Sequence, residues 1–207
     1  MLRRLVQSLA ARPWMFDLLR WTLEAGYRGH HHLITKELQG YPGPVLDIGC
    51  GTGVFAHYFD PAEYLGVDVC AAYVAAAQRR SPGHRFAVMD ARRLDLADGS
   101  QGLCFISGVL HHLSDEDAHA VLSEVARVLQ PTGRLAIWED IPTQSWWNPI
   151  GPIIHRLDLG DRIRTPTEYL DLIEPYFALT HSGLMRSGWM DYAVYLGVPK
   201  PRQTAET

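Results

Sequence analysis

The sequence predicts an α/β fold: a seven-stranded, mostly parallel sheet with helices on both faces and a C-terminal antiparallel hairpin. Three observations carry this. From about residue 43, short apolar runs alternate with helical patterns. The first of these runs ends in three alternating glycines at 49, 51 and 53. The last two strand-like segments have no room for a crossover helix between them.

The elements follow in chain order. Leu2, Leu5, Val6 and Leu9 sit at helical spacing with Arg3, Arg4 and Arg12 on other faces, so residues 1–40 read as a helical N-terminal extension that docks on the domain as a lid. The apolar run in the first sixteen residues is interrupted by Gln7, Ser8 and Arg12 and is too short for a signal peptide. No stretch reaches the ~18 apolar residues of a membrane span. Stable membrane insertion is therefore not expected, and weak peripheral contact is the alternative to docking.

Val45–Cys50, Tyr64–Val69, Arg85–Met89, Leu103–Ile106 and Arg134–Glu139 are each too short for a core helix and read as buried strands. Between them, Ala71–Arg80 is alanine-rich and stops at Ser81, Pro82 and Gly83. Ser114 with Asp117 reads as an N-cap before the stripe Ala118, Val121, Leu122, Val125 and Leu129, which Pro131, Thr132 and Gly133 end. Thr165, Pro166 and Glu168 form a capping box with proline at the first helical position. Tyr176–Ser182 and Asp191–Val198 make the hairpin. Residues 41–198 are thus one domain with an insert at 141–164, and residues 199–207 are a frayed tail.

Composition narrows the function. The chain of 207 residues carries a net charge of −4, without the basic excess of a phosphate-neutralising surface, so nucleic acid is not an expected partner. Cys50, Cys70 and Cys104 are odd in number and lack metal-like spacing, which suits buried thiols in a reducing, cytoplasmic setting. His30, His31 and His32 are consecutive and point in different directions on a helix, so no metal site is expected.

A buried strand, three glycines and a following helix make a ligand cradle: glycine allows φ > 0 and close backbone approach, and the helix start supplies free N–H groups. Spacing alone leaves a choice. Gly51, Gly53 and Ala56 also fit the dinucleotide pattern, with Asp68 near the place of its ribose acid, which would make a nicotinamide-dependent oxidoreductase. Asp47, just before the loop, would repel a pyrophosphate and suits a ligand bearing an ammonium group.

With Val45, Leu46, Asp47, Gly49, Cys50, Gly51, Thr52 and Gly53, the sequence closely resembles class I S-adenosylmethionine-dependent methyltransferases, across roughly residues 43–198. The resemblance implies a Rossmann-like sheet, S-adenosyl-L-methionine as cofactor and a methyl-transfer activity. Gly66 and Asp68 match the second-strand acid that holds both ribose hydroxyls in this family, with Val69 beside it. Asp90 and Ala91 match the third-strand end that holds the adenine amino group. Ser107 through Leu113 match the fourth-strand end, and Arg127 through Gly133 match the turn into the fifth strand. Gln130 and Thr132 replace the usual Lys and Gly of that turn, and Cys70 stands where Ser often follows the acid. A relative of this fold that binds the cofactor without transferring methyl is the main alternative function.

Methyl transfer to oxygen or carbon calls for a base, and ligands of open α/β sheets bind at the C-terminal strand ends. His111 and His112, after the fourth strand, are the best placed, either as base or as cofactor lining. Glu139 and Asp140 end the fifth strand and are candidate substrate contacts, and His155 lies in the insert. The resemblance also implies that Tyr27 and Arg28 approach the methionine end of the cofactor, with Arg28 forking onto its carboxylate. Trp14, Phe16 and Trp21, with Trp146, Trp147, Ile150, Ile153 and Ile154, make the flanking segments apolar. That favours a small aromatic, quinone-like or lipid-like acceptor over a macromolecule.

Overall fold

The computed structural model describes residues 12–145, 148, 151–152 and 162–201. The helical expectation for residues 1–11 and the calls on Trp146, Trp147, Ile150, Ile153, Ile154 and His155 lie outside these.

Helix α1 (Pro13–Leu23) and helix α2 (Arg28–Glu37) precede the sheet. Strands β1 (Val45–Ile48) and β2 (Tyr64–Asp68), helix α3 (Ala71–Arg80), strands β3 (Arg85–Val88) and β4 (Gln101–Ser107), helix α4 (Asp115–Val128) and strand β5 (Leu129–Asp140) follow. Helix α5 (Pro166–Ile173) and the hairpin β6 (Phe177–Ser187) and β7 (Met190–Pro199) complete the chain.

The sheet runs β3-β2-β1-β4-β5-β7-β6, with β1 to β5 parallel and β7 antiparallel to both neighbours. The chain starts in the middle at β1, moves outward to β3, then returns to β4 on the other side of β1. That reversal opens a crevice beyond the C-terminal ends of β1 and β4, the place where such sheets bind ligands.

All residues of β1 and β4 are buried, as expected of parallel strands covered on both faces. On one face, Ala118, Val121, Leu122 and Val125 of α4 meet Leu46, Ile48, Cys104 and Ile106. On the other, Ile34 of α2 and Val74 and Ala77 of α3 belong to the cluster of Phe55, Phe105 and Trp138. Ser114 caps α4 by accepting from the Asp117 N–H, and Thr165 with Glu168 forms the capping box of α5.

Three boundaries differ from the sequence expectation. Only a single 3₁₀ turn, Ala56–Tyr58, follows the glycine loop. Gly49, Gly51 and Gly53 are all at positive φ and keep the chain in turns, and Pro61 lies three residues past Tyr58. The loop therefore has no long helix dipole behind it. Strand β5 starts at Leu129, which already pairs with Gln101, so α4 ends before Pro131. The hairpin is longer than its glycines suggested: Gly183 lies within β6, and Gly188, at φ 59, makes a two-residue turn with Trp189.

That hairpin tip fixes the N-terminal helices. α1 and α2 meet at a left-handed corner in which Ala25 (φ 50) and Tyr27 (φ 58) adopt a conformation that side chains disfavour by roughly 1–2 kcal/mol each. The Trp189 N–H donates to Leu23 O at 2.8 Å and the Ser187 hydroxyl to Glu24 O at 2.9 Å, and these bonds over-determine the corner.

Candidate functional site

The loop after β1 forms the floor of a cavity of about 760 Å³. Its three glycines do different work. A Cβ on Gly49 would lie 2.3 Å from Val109, and one on Gly53 would meet Ala77 and Phe86 at 3.0 Å, so both permit close packing. A Cβ on Gly51 would meet nothing within 4 Å, because Gly51 faces the cavity. Gly53 is not in the cavity wall, whereas Gly49 and Cys50 are.

Asp68, at the end of β2, ties this loop down. Its Oδ2 accepts from the Gly51 N–H at 3.0 Å and its Oδ1 from the Cys70 N–H at 2.8 Å. A carboxylate has about four acceptor positions, so each oxygen retains capacity toward the cavity. Burial raises the Asp68 pKa against these two bonds. Asp47, almost fully buried on β1, accepts from the Tyr64 hydroxyl at 2.6 Å. Burial, opposed by that hydrogen bond and reinforced by Asp68, pushes its carboxyl up to about 7.

Val69, Asp90, Ala91 and Ser107 all line the cavity. Arg92 forks onto the Asp90 carboxylate and holds it below its ordinary range. Ser107 accepts from the Trp138 indole N–H, which anchors the end of β4.

Further along, His111 and His112 sit on a 3₁₀ turn, Leu110–His112, and both reach the cavity. The substrate expectation for Glu139 and Asp140 divides. Asp140 lines the cavity, whereas Glu139 is fully buried beneath it. Consecutive strand residues face opposite ways, so one of the pair had to turn inward. Glu139 accepts from the N–H groups of Val109 and Leu110, both at 2.8 Å, and contacts His111 Nδ1 at 2.9 Å. With Nδ1–H donating to Glu139, the basic Nε2 lies on the opposite edge of the ring, 3.7 Å from Asp140.

The N-terminal helices close the other side. Asp17 on α1 accepts from the Thr52 hydroxyl at 2.5 Å and from Arg80 at 2.5 Å, and Phe16 stacks on Tyr73 with ring centroids 5.1 Å apart. Tyr27 lines the cavity, but Arg28 is exposed and does not. Two arginines are in the wall: Arg92, taken up by Asp90, and Arg20, which donates to Glu24 at 2.6 Å and lies over the rings of Phe16 and Tyr27. Burial would raise the Glu24 carboxyl, but Arg20 and His30 outweigh it and hold it at about 2. Arg20, Glu24 and Tyr192 of β7 thus complete the site. Their only sequence signal was the i,i+4 pairing of Arg20 with Glu24, which is common on any helix.

The three consecutive histidines diverge as expected. His30 is buried against Phe55, His31 meets the Tyr58 hydroxyl, and His32 is exposed. Among the described residues no group of side chains could hold a metal ion.

A sheet reversing between β1 and β4, with a glycine loop on one strand and an acid closing the next, is the architecture of class I S-adenosylmethionine-dependent methyltransferases, which this chain resembles. Residues 45–133 match the methyltransferase domain family. A malonyl-[acyl-carrier protein] O-methyltransferase of Hahella chejuensis is 30% identical over 139 residues, covering 64% of this chain and 48% of that protein. A probable tRNA methyltransferase 9B of Bos taurus is 37% identical over 99 residues, 47% of this chain and 21% of its own length. The chain therefore spans about half or less of these relatives. Among solved structures, the geranyl diphosphate C-methyltransferase of Streptomyces coelicolor, in complex with Mg2+, geranyl diphosphate and S-adenosyl-L-homocysteine, superposes with a TM-score of 0.66. It is 16% identical, and the match covers 83% of this chain and 77% of that one.

Proposed function

We propose that this chain is an S-adenosylmethionine-dependent methyltransferase acting on a small or lipid-like acceptor. The observation that carries the reading is one cavity lined by two chemically different sets of residues. One set, Gly51, Asp68 and Asp90, suits a nucleoside: an acid with spare acceptor capacity beside a glycine whose missing side chain leaves room. Asp47 adds a carboxylate for an ammonium group. The residues fit the cofactor, which would supply an electrophilic methyl on a sulfonium. The other set, Phe16, Leu19, Leu23, Met190 and Tyr192, is apolar and is joined in the lining by Arg20, His111 and Asp140.

In this reading Arg20, rather than Arg28, is the cation available to a ligand carboxylate. His111 is the candidate general base. Glu139 fixes its tautomer, so Nε2 takes the proton that an oxygen or carbon acceptor loses. The cavity lies within the ~300–1,000 Å³ range of small-molecule sites, and helix α1 shields it from water. The net charge of −4 argues against a nucleic-acid acceptor despite the tRNA methyltransferase relative.

The test is methyl transfer from labelled cofactor to a panel: a malonyl thioester on an acyl-carrier protein, phenolic and quinol lipids, an isoprenoid diphosphate, and tRNA. Product masses identify the acceptor. Incorporation into a small or lipid substrate is expected, and incorporation into tRNA alone would overturn the acceptor class. S-adenosylhomocysteine should raise the melting temperature, and NAD should not.

A further inference from the structure

Helix α1 has two apolar faces. Phe16 and Leu23 face the cavity, with Arg20 between them. On the outer side, Trp14, Leu18 and Trp21 recur at i, i+4 and i+7 and form one stripe. They are 62%, 55% and 58% exposed, and Leu19, 44% exposed, joins the stripe to the cavity rim. Leaving two tryptophans and two leucines in water on an eleven-residue helix is unfavourable for a face without a partner.

Charge indicates what covers it. The whole chain is net acidic at −4, yet residues 1–23 contain Arg3, Arg4, Arg12 and Arg20 and a single acid, Asp17. That acid is turned inward onto Thr52 and Arg80, and Arg12, at the start of the stripe, is exposed. Tryptophan and leucine flanked by arginine, with no outward acid, is the chemistry that binds an anionic bilayer surface.

We propose that the outer face of α1 docks on an anionic lipid surface, with the indoles at headgroup depth and Arg12 against the lipid phosphates. Among the described residues no helix is long and apolar enough to cross a membrane, so this is contact from one side. Docking places the rim at Leu19 against the bilayer, where an apolar acceptor enters the cavity without crossing water. That last step rests on the proposed function; the docking does not.

The experiment is co-sedimentation of the full chain with vesicles of phosphatidylcholine alone and of phosphatidylcholine with phosphatidylglycerol. S-adenosylhomocysteine affinity is measured by calorimetry in parallel. Binding to the anionic vesicles is expected, with a blue shift in tryptophan emission and weakening as salt rises. The triple variant Trp14→Ser, Leu18→Ser, Trp21→Ser should lose at least ~10-fold in vesicle partitioning, because three side chains leave the lipid. Its S-adenosylhomocysteine affinity should stay unchanged, since none of the three lines the cavity. Arg12→Glu, which leaves the stripe intact, should weaken binding to anionic vesicles only.

No binding to either vesicle overturns the proposal, as does equal binding by the triple variant. A dimer in light scattering that the triple variant dissolves would mean that a second copy covers the stripe, which also overturns it. Vesicle binding without S-adenosylhomocysteine binding would refute the proposed function and leave the docking standing. The converse would do the reverse.

Discussion

Replacing Asp68 with alanine should remove acceptors on both sides of the carboxylate at once. Toward the protein, the Gly51 and Cys70 N–H groups lose partners at 3.0 and 2.8 Å. Toward the cavity, the two remaining acceptor positions face the place where a ribose would present two hydroxyls. A hydrogen bond to a charged group contributes ~1.5–3 kcal/mol, so two lost bonds amount to ~3–6 kcal/mol at most. Asp68 is only partly buried, so water offsets part of this. The lower bound of one full bond is about tenfold in affinity, and two give up to ~10⁴-fold before the offset by water. Calorimetry with S-adenosylhomocysteine should show a loss inside that window. The melting temperature should also fall, because the loop is no longer anchored. Asp68→Asn keeps one acceptor oxygen and should lie between wild type and alanine. If Asp68→Ala folded and bound S-adenosylhomocysteine as tightly as wild type, the cavity would not hold a ribose at this acid, and the nucleoside reading would fail.

Gly51→Val should abolish S-adenosylhomocysteine binding. Its Cβ meets only empty cavity, so the apo fold should lose just the ~1–3 kcal/mol of a valine at positive φ. A variant that unfolds, or that binds normally, would contradict this. With the Asp47 carboxyl pushed up to about 7, ligands bearing an ammonium should bind more tightly as pH rises through 7, and Asp47→Asn should flatten that profile in calorimetry. The sign for the empty protein is opposite: this group's folded pKa exceeds its unfolded value, so stability is full below about 4 and declines as pH rises toward 7. Glu139→Gln keeps one acceptor oxygen for the Val109 and Leu110 N–H groups and removes the carboxylate that fixes the His111 tautomer, so it should reduce kcat by ~10–100-fold and alter its pH profile with a smaller effect on S-adenosylhomocysteine affinity. An unchanged pH profile would exclude His111 as the base.

How much of this was legible in the chain depends on the range of the forces involved. Strand runs, caps and the glycine loop are set by neighbours in sequence. Val45, Asp47 and Gly51 could therefore be placed on a strand and its turn from spacing and side-chain chemistry, Asp68 took its role from the family resemblance, and the antiparallel hairpin followed from the lack of room for a crossover. The single turn after the loop was not legible, because the left-handed geometry of three glycines decided it against the helical pattern of the residues beyond.

Glu139 and Arg28 show where local reasoning stops. Glu139 and Asp140 are adjacent acids on one strand, and alternation says only that they face opposite sides. Which one faces the cavity was decided by packing: Glu139 is the acceptor for the backbone of Val109 and Leu110, which no local signal announces. Arg28 and Arg20 present the same problem on helices. The corner at Ala25 to Tyr27, held by the tip of a hairpin more than 150 residues away, turns α1 so that Arg20 faces the cavity and leaves Arg28 in water. The sequence by itself determined the sheet and the glycine loop with its neighbouring acid Asp68, because both rest on short-range geometry. The opposite wall of the cavity is assembled by long-range contacts among α1, β5 and β7, and only the tertiary structure decided it.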